Sequence, residues 1–370
     1  MSEEKDMVNA CWKWIFSTPE CAKELGERPQ LLLKDARQVK TNPVRKVFCT
    51  GGCYVKIDMR SGGHLKREWK SAELLRGKGV PVVDYMAFGV SPLGEMVVTR
   101  ALEGSVSVKD WLSEKMCAGV TEEELTPFAE NYARFVRSVI DAGVFHPDFH
   151  VGNVLYVPGK EQLTLVDVSE VRRRFLFDRW RLWRMVGSVQ AFRRVFSRDG
   201  MLHLLTLAGA GDAEAMWRKL LKETALHLLH SWPKRSRQML EGHPRYAVKE
   251  NGWLRVVDAC GRPLECEKTV CEKLSQEEGR KRYLADFFLY LANIPHQRLL
   301  AWNKETGELR LEAIDENRVD MVPQELQERF EPLGLRLSPV CWAKNGEGKI
   351  LLVDCKEVME LPLLVECLNA

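Results

Sequence analysis

No apolar run in this chain of 370 residues approaches the roughly 18 residues that a membrane-crossing helix needs. Helical membrane spans are therefore not expected. The opening stretch, MSEEKDMVNACWKWIF, is acidic and too poor in apolar residues for a secretion signal, so the expected location is the cytoplasm. Charge of one sign is also lacking: 55 Lys and Arg stand against 52 Asp and Glu, a net of +3. Overall charge thus selects no partner, and nucleic acid is not expected. Eleven cysteines are present, but neither Cys49/Cys53 nor Cys260/Cys266/Cys271 has the CxxC spacing or adjacent histidines of a zinc site. They read as reduced, mostly buried thiols. There is no internal repeat and no low-complexity tract. What remains is an ordinary globular composition, 45% hydrophobic and 29% charged, in a chain long enough for more than one domain.

The chemistry concentrates between Val144 and Glu170, VFHPDFHVGNVLYVPGKEQLTLVDVSE. His146, Asp148 and Asn153 form an HxDxxxxN pattern, and Asp167 stands near the end of the second of two short apolar strands, Val154 to Val157 and Leu163 to Val168. A hairpin through Pro158-Gly159-Lys160 would bring Asn153 and Asp167 to one end of the sheet. Phosphoryl transfer from a nucleotide uses these residue types: a carboxylate orients the attacking hydroxyl, and an amide with a second carboxylate holds metal ions. Taken alone, so short a pattern is equally compatible with a polar loop. Upstream, however, Lys56 lies in the apolar strand Tyr54-Val55-Lys56-Ile57, where an unpaired ammonium is costly. Glu68 follows on a helix predicted from about His64 to Arg76, with Leu65, Trp69, Ala72 and Leu75 on its apolar stripe. Glu68 could be an exposed surface carboxylate, but a pairing with Lys56 accounts for both residues.

Taken in order, residues 4 to 26 read as two helical pieces, the second started by Ser17-Thr18-Pro19-Glu20. Leu31 to Val39, Val44 to Cys49 and Cys53 to Asp58 read as an antiparallel meander. Its first turn, Lys40-Thr41-Asn42-Pro43, has no GxGxxG glycines. Any phosphate contact there must come from backbone amides or from Lys40, Arg45 and Lys46, and a plain basic hairpin tip is an equal alternative. Two more strands, Val82 to Gly89 and Glu95 to Ala101, lead into Thr99-Arg100-Ala101-Leu102-Glu103-Gly104, a linker whose backbone, at Thr99 and Ala101, would hydrogen-bond an adenine. A short helix from Ser107 to Met116 precedes a long one, opened by Thr121 and Glu124 and ending near Gly143, with its apolar residues at the 3.6 period.

Nine arginines crowd the segment after Asp167: Arg172, Arg173, Arg174, Arg179, Arg181, Arg184, Arg193, Arg194 and Arg198. They suit either a solvated face or a patch for anionic groups, with Lys234-Arg235-Ser236-Arg237 as a possible extension. Beyond about residue 240 three hairpins are expected, through Asn251-Gly252, Thr306-Gly307 and Asn345-Gly346, with helices at Gln276 to Leu291 and Pro323 to Phe330.

The runs LKREWKSAELLRGKGVPVVDYMAFG, VVTRALEG, DAGVFHPDFHVGNVL and LTLVDVSEVRRR resemble the bacterial lipopolysaccharide core kinase family, which includes heptose kinases and the Kdo kinase. The resemblance covers roughly residues 30 to 240. It implies an α+β, two-lobed protein-kinase-like fold, to which a small α+β C-terminal extension is added. The implied division is a helical appendage over 1–29, an N-lobe over 30–101, a helical C-lobe over 102–240 and the extension over 241–370. The implied activity is ATP- and Mg2+-dependent phosphorylation of a heptose or Kdo hydroxyl in the lipopolysaccharide inner core. Carried over by position, Asp148 is the catalytic acid, Asn153 and Asp167 hold metal, Lys56 binds phosphates and Glu68 orients Lys56. The acceptor would be an anionic glycolipid met at the cytoplasmic face of the inner membrane, with Arg172, Arg173, Arg174, Arg179 and Arg181 as the acceptor or membrane patch.

The chain also departs from the family pattern. Pro147 stands where relatives carry arginine or glycine, and Asp167 is followed by Val168-Ser169. After Arg179-Trp180-Arg181 comes Leu182-Trp183-Arg184 instead of a Lys-Asp pair whose aspartate braces the catalytic loop. Two other readings stay open: a small-molecule kinase of the aminoglycoside or choline type, and a nucleotide-binding pseudokinase that serves as a binding module.

Overall fold

Strand-forming residues and tight turns dominate the first hundred positions, and in the computed structural model they build one antiparallel sheet. The structure describes residues 2–60, 62–175, 181–314, 317–319, 321–333, 341–344, 350–353 and 358. The chain divides into two compact units, one of residues 1–112, 123–191 and 204–211, the other of residues 113–122, 192–203 and 212–370.

The first unit starts with helices α1 (Ser2–Asn9) and α2 (Pro19–Leu25) and strands β1 (Lys13–Phe16), β2 (Arg37–Thr41), β3 (Arg45–Thr50), β4 (Cys53–Asp58), β5 (Tyr85–Ser91) and β6 (Gly94–Arg100). The strands pair in the order β1-β5-β6-β4-β3-β2. Two expectations are corrected here. Residues 4 to 26 are not two helical pieces alone, because β1 lies between the helices and pairs with the edge of β5, Trp14 opposite Gly89. Aromatic and branched residues at Trp12, Trp14, Ile15 and Phe16 favour a strand. Gly89 admits it, since a Cβ there would stand 2.7 Å from the Trp14 ring. The stretch from Leu31 is not wholly a strand either. Pro29–Asp35 is a 3-10 turn with Pro29, Gln30 and Leu33 buried, and extended pairing begins only at Arg37.

Helix α3 (His64–Gly77) buries Leu65, Glu68, Trp69, Ala72 and Leu75, and Trp69 meets Phe88 at 6.2 Å between ring centres. Its N-terminus has no side-chain cap of its own. Glu95 of β6 supplies one, accepting the Leu65 and Lys66 amides at 2.9 and 3.3 Å, where a carboxylate also complements the helix dipole.

After the two-residue strand β7 (Val106–Ser107), the helix α4 (Val108–Cys117) and the helix α5 (Glu122–Asp141) follow. The 3.6 period of α5 is realised in full, with Leu125, Phe128, Ala129, Tyr132, Phe135, Val136, Val139 and Ile140 all buried. Trp111, Phe128 and Tyr156 stack at 4.0 to 5.2 Å. The chain turns at Gly143, φ +73°, into β8 (Val144–Phe145), β9 (Val154–Val157), β10 (Gln162–Leu165) and β11 (Arg172–Arg173). β9 and β10 form the expected hairpin, Val154 opposite Leu165. β11 returns antiparallel to β8, and the short helix α6 (Trp183–Val186) buries Met185 and Val186. Helix α7 (Arg198–Leu207) follows.

In the second unit, helix α8 (Ala213–Glu241) precedes β12 (Ala247–Glu250), β13 (Trp253–Val256), β14 (Thr269–Lys273), β15 (Leu299–Asn303) and β16 (Glu308–Glu312). These pair in the order β12-β13-β15-β16-β14. Helix α9 (Gln276–Ala292) opens on a capping box of Ser275 and Glu278, which satisfies two orphan amides reciprocally. Its run from Tyr283 to Leu289 is buried throughout and shares a core with Trp232, Leu254, Trp302, Leu309 and Trp342. A smaller sheet holds β17 (Asn317–Arg318), β18 (Trp342–Lys344) and β19 (Ile350–Leu352), with helix α10 (Gln324–Phe330) between β17 and β18 in sequence. Of the three expected hairpins, the first two turn at their Asn-Gly and Thr-Gly pairs. The tip of the third, Asn345-Gly346, lies outside the described residues.

The fold is α+β. Among the described residues no helix is long and apolar enough to cross a membrane. Of the nine described cysteines, only Cys21, Cys53 and Cys341 are buried. The expectation of mostly buried thiols therefore fails, because Cys11 and Cys260 sit in loops and Cys271 lies on the exposed strand β14.

Candidate active site

Alternation along β4 turns Val55 and Ile57 into the core and Lys56 to the opposite face. There Lys56 Nζ donates to Glu68 Oε1 at 2.6 Å and to Asp167 Oδ1 at 3.4 Å. Burial disfavours the ammonium, but Glu68 and then Asp167 outweigh it, and the Lys56 pKa is raised. Glu68 is fully buried, so it is not the surface carboxylate of the alternative reading. A further partner, which the sequence did not reveal, completes the pair: the Tyr85 hydroxyl donates to Glu68 Oε1 at 2.6 Å. Burial first, then the Glu68 charge, pushes the Tyr85 phenol well up, which keeps it a donor. Only the pairing of β5 with β6 and the placing of α3 bring these two side chains together.

Asp167 adopts a left-handed backbone, φ +54°, a conformation that a residue with a Cβ takes up at a cost of order 1 kcal/mol. Burial alone would raise its pKa, yet Lys56, Arg45 and Lys40 together lower it. The carboxylate is therefore ionised where it meets Lys56. The chain reaches Asp167 through Val166, whose amide donates to the Asn153 carbonyl at 2.9 Å. Asn153, buried at the foot of β9, donates from Nδ2 to the Asp148 carbonyl at 3.1 Å and to Asp148 Oδ2 at 3.3 Å. Its Oδ1 is left as an acceptor. Asp148 keeps its side chain 69% exposed, with His150 Nε2 3.7 Å from Oδ1. The sequence-derived set of Lys56, Glu68, Asp148, Asn153 and Asp167 is thus linked within one unit, Lys56 to Glu68 and Asp167, Asn153 to Asp148, and the two pairs through the Val166 amide. An ionised carboxylate and an amide oxygen are hard donors of the kind Mg2+ takes, so Asp167 and Asn153 fit that ion.

The loop is braced by an unexpected atom. The His146 amide donates to the Met185 sulfur at 3.5 Å, and Met185 is fully buried. A thioether is a weak, uncharged acceptor. The His146 ring is buried with neither nitrogen hydrogen-bonded, and burial depresses its pKa to about 4. It therefore packs as a neutral ring, edge-on to Phe149 at 5.7 Å.

Other expected contacts are not available as drawn. Thr99 is buried in the sheet, its hydroxyl 3.5 Å from the Tyr54 carbonyl. The Ala101 amide donates to Gly52 O at 2.7 Å and the Arg100 amide to Asp84 O at 2.8 Å. Those two linker donors are committed inside the protein, so an adenine contact from the Ala101 N–H is corrected. At the β2–β3 turn, Asn42 Oδ1 accepts the Val44 and Arg45 amides at 3.0 and 2.6 Å. Arg45 also pairs with Asp58 at 3.3 Å. Burial would raise the Asp58 pKa, but Arg60 and Arg45 hold it at about 2. An asparagine-closed hairpin tip is what forms there, with few amides left for phosphate.

The arginine run divides between the two units. Arg172 lies over Phe145 at 5.0 Å and Phe175 at 5.6 Å, Arg173 is exposed on β11 and Arg181 is exposed before α6. Arg174 donates to the Ile140 carbonyl at 3.1 Å, and its amide to Gly143 O at 2.9 Å, closing the end of α5. Arg179 lies outside the described residues. Arg193, Arg194 and Arg198 belong to the second unit. There Arg193 and Arg194 cap the last carbonyls of α9, Leu291 and Tyr290, as basic groups do at helix C-termini. Arg198 binds Glu214 and Glu328 at 2.6 and 3.2 Å.

No curated protein matches the chain. A solved structure described as "WaaP in complex with acyl carrier protein" is similar at a TM-score of 0.44 and 17% identity, covering 56% of this chain and 92% of that one. Residues 61–189 match the model of the Lipopolysaccharide kinase (Kdo/WaaP) family, and this matched segment carries Glu68, Asp148, Asn153 and Asp167.

Proposed function

We propose that this protein is an ATP-dependent kinase that phosphorylates a heptose or Kdo hydroxyl of the lipopolysaccharide inner core. The observation that carries the reading is the linked set in which Lys56 bridges Glu68 and Asp167 while Asn153 ties the Asp167 strand to Asp148. Each residue then has a definite task. Asp148, largely exposed and acceptor-only when ionised, orients the sugar hydroxyl and takes its proton as that oxygen bonds to the γ-phosphorus of ATP and the bond to the bridging oxygen breaks, with ADP leaving. Lys56, held by Glu68, which Tyr85 steadies in turn, and by Asp167, presents its remaining ammonium hydrogen to the nucleotide phosphates. Asp167 and Asn153 would hold Mg2+, which when bound neutralises phosphate charge. The left-handed backbone at Asp167 aims its carboxylate at Lys56, and the neutral, buried His146 ring supports the loop without adding charge.

The acceptor class follows from family and charge. The exposed guanidiniums of Arg173 and Arg181, with Arg172 beside them in the chain, suit the carboxylates and phosphates of an anionic glycolipid. Such an acceptor would be met at the cytoplasmic face of the inner membrane, with the protein bound there peripherally.

The test is mass spectrometry of an acceptor panel incubated with ATP, magnesium and the protein. The panel holds Kdo-lipid A, its heptosylated form, an aminoglycoside, choline and a generic peptide, with Asp167→Asn as the blank. Phosphate should appear only on the Kdo- or heptose-bearing lipid. Phosphate on the aminoglycoside or choline would move the acceptor to a small cation, and ATP binding with no product on any acceptor would favour a pseudokinase.

A further inference from the structure

A second group of chemically active side chains lies in the other unit, and nothing in the phosphotransfer site uses it. Cys117 is the last residue of α4, while Asp258 and Cys260 lie on the tight turn that follows β13. Their ligand atoms, two thiol sulfurs and a carboxylate oxygen, all lie within 4.8 Å of one another. The turn is held from within: the Asp258 amide donates to Arg262 O at 2.8 Å and the Gly261 amide to Asp258 O at 3.0 Å. Asp258 Oδ1 accepts the Cys260 and Arg262 amides at 2.8 and 2.9 Å, and Oδ2 accepts Arg262 Nε at 3.1 Å. Gly261, φ +79°, supplies the left-handed step. Asp258 and Cys260 are therefore fixed relative to each other before any ligand arrives, and Cys117 comes to them from a distant part of the chain.

We propose that Cys117, Asp258 and Cys260 form a site for a thiophilic divalent cation, Zn2+ by its chemistry, with a fourth position open to water. Sulfur ligands at about 2.3 Å from zinc in a tetrahedron stand about 3.8 Å apart, so the observed spacing closes onto one ion with small side-chain rotations. Two thiolates exclude Mg2+ and Ca2+, which take oxygen, and favour zinc or another soft ion. The charge also balances. Two thiolates and a carboxylate carry three negative charges against two on the ion, and the Arg262 guanidinium on Asp258 Oδ2 offsets the remaining one. Arg262 and the turn amides then act as outer partners that orient the carboxylate, as such partners do in zinc sites. The site would join the end of α4 to the turn after β13, two segments of the same unit.

The experiment uses the full-length protein, reduced and stripped with a chelator, then titrated with Zn2+ and separately with Co2+ as a spectroscopic probe. The expected result is one equivalent bound, with intense thiolate-to-cobalt charge-transfer absorption, and a rise in Tm on adding zinc. Cys260→Ser, on the exposed turn, should weaken binding by about a hundredfold or more and abolish the charge-transfer band. Cys117→Ser should do the same, and Asp258→Asn should weaken binding while keeping the band. Cys271→Ser, exposed elsewhere, should change neither. Cobalt binding without a thiolate band, or unchanged affinity in Cys260→Ser, would overturn the proposal. So would an intact mass lower by two hydrogens with Cys117 and Cys260 joined in the protein as isolated, since that pair would then be a disulfide. Should Cys117→Ser fail to fold, the Cys260→Ser and Asp258→Asn variants decide alone.

Discussion

At the scale of single residues, the Asp148 side chain is exposed and meets Asn153 and His150, so its replacement should leave the fold intact. Asp148→Asn is expected to lower turnover by about 10²- to 10⁴-fold with nucleotide affinity unchanged, read by phosphate transfer and by nucleotide titration. Near-normal turnover would remove Asp148 from the reaction. Tyr85 makes a different prediction, because it reaches the phosphates only through Glu68 and Lys56. Tyr85→Phe takes one of two donors from a buried carboxylate oxygen at a cost of about 1–2 kcal/mol. The expected result is a several-fold rise in KM for ATP with kcat nearly kept, whereas a purely structural tyrosine would lower stability and leave KM alone. His146 yields a pH dependence. Its folded pKa of about 4 lies below the ordinary value of 6.5, so between these pH values the unfolded chain binds a proton that the folded chain refuses. Its stabilising contribution is present above pH 6.5 and is lost as pH falls toward 4, by about 3 kcal/mol in total. Denaturant melts of the parent and His146→Asn should diverge in slope across that window, and parallel slopes would contradict the assignment.

At the scale of elements, the loop that carries His146 and Asp148 hangs between α5, the β9–β10 hairpin and α6, and its tether to α6 is the Met185 sulfur on the His146 amide. Met185→Leu keeps volume and removes the acceptor, so hydrogen exchange at the His146 amide should accelerate and kcat should fall while nucleotide affinity holds. Unchanged exchange at that amide would show that packing alone holds the loop. The sequence of this region was legible at the same scale: the period of α5, the Pro-Gly turn between β9 and β10, and the strand lysine all follow from residues close in the chain. Strand β1 was not, because Lys13–Phe16 becomes a strand by finding the edge of β5 more than seventy positions away. Its aromatic and branched residues suit a strand, but the pairing with β5 that makes it one depends on a tertiary partner.

At the scale of the whole molecule, net charge is small, and attraction to an anionic acceptor must come from local groups. Of the arginines, Arg173, Arg174, Arg181, Arg184 and Arg194 are exposed, and of the run Arg174, Arg193, Arg194 and Arg198 are bound to backbone carbonyls or carboxylates. Replacing Arg173 and Arg181 by glutamate should reduce sedimentation with anionic vesicles and raise KM for the glycolipid, both effects shrinking as salt is added. The same change at Arg198 should instead lower stability, through loss of its two glutamate partners. Equal effects of the two changes on vesicle binding would favour a single continuous patch.

By itself the sequence determined the chemistry of the site and its order: a strand lysine, a helix glutamate, HxDxxxxN and a following aspartate, each recognisable because a few neighbouring residues define it. It determined most hairpins and helices for the same reason, since period and turn chemistry act over short spans. Only the tertiary structure decided which buried groups meet. Tyr85 at Glu68, Met185 at His146, Asn42 closing its own turn, the arginines spent on helix ends and Cys117 beside Asp258 and Cys260 all join residues whose pairing no local pattern encodes. Burial leaves each polar group in need of a partner, and the packing of distant segments settles which side chain supplies it.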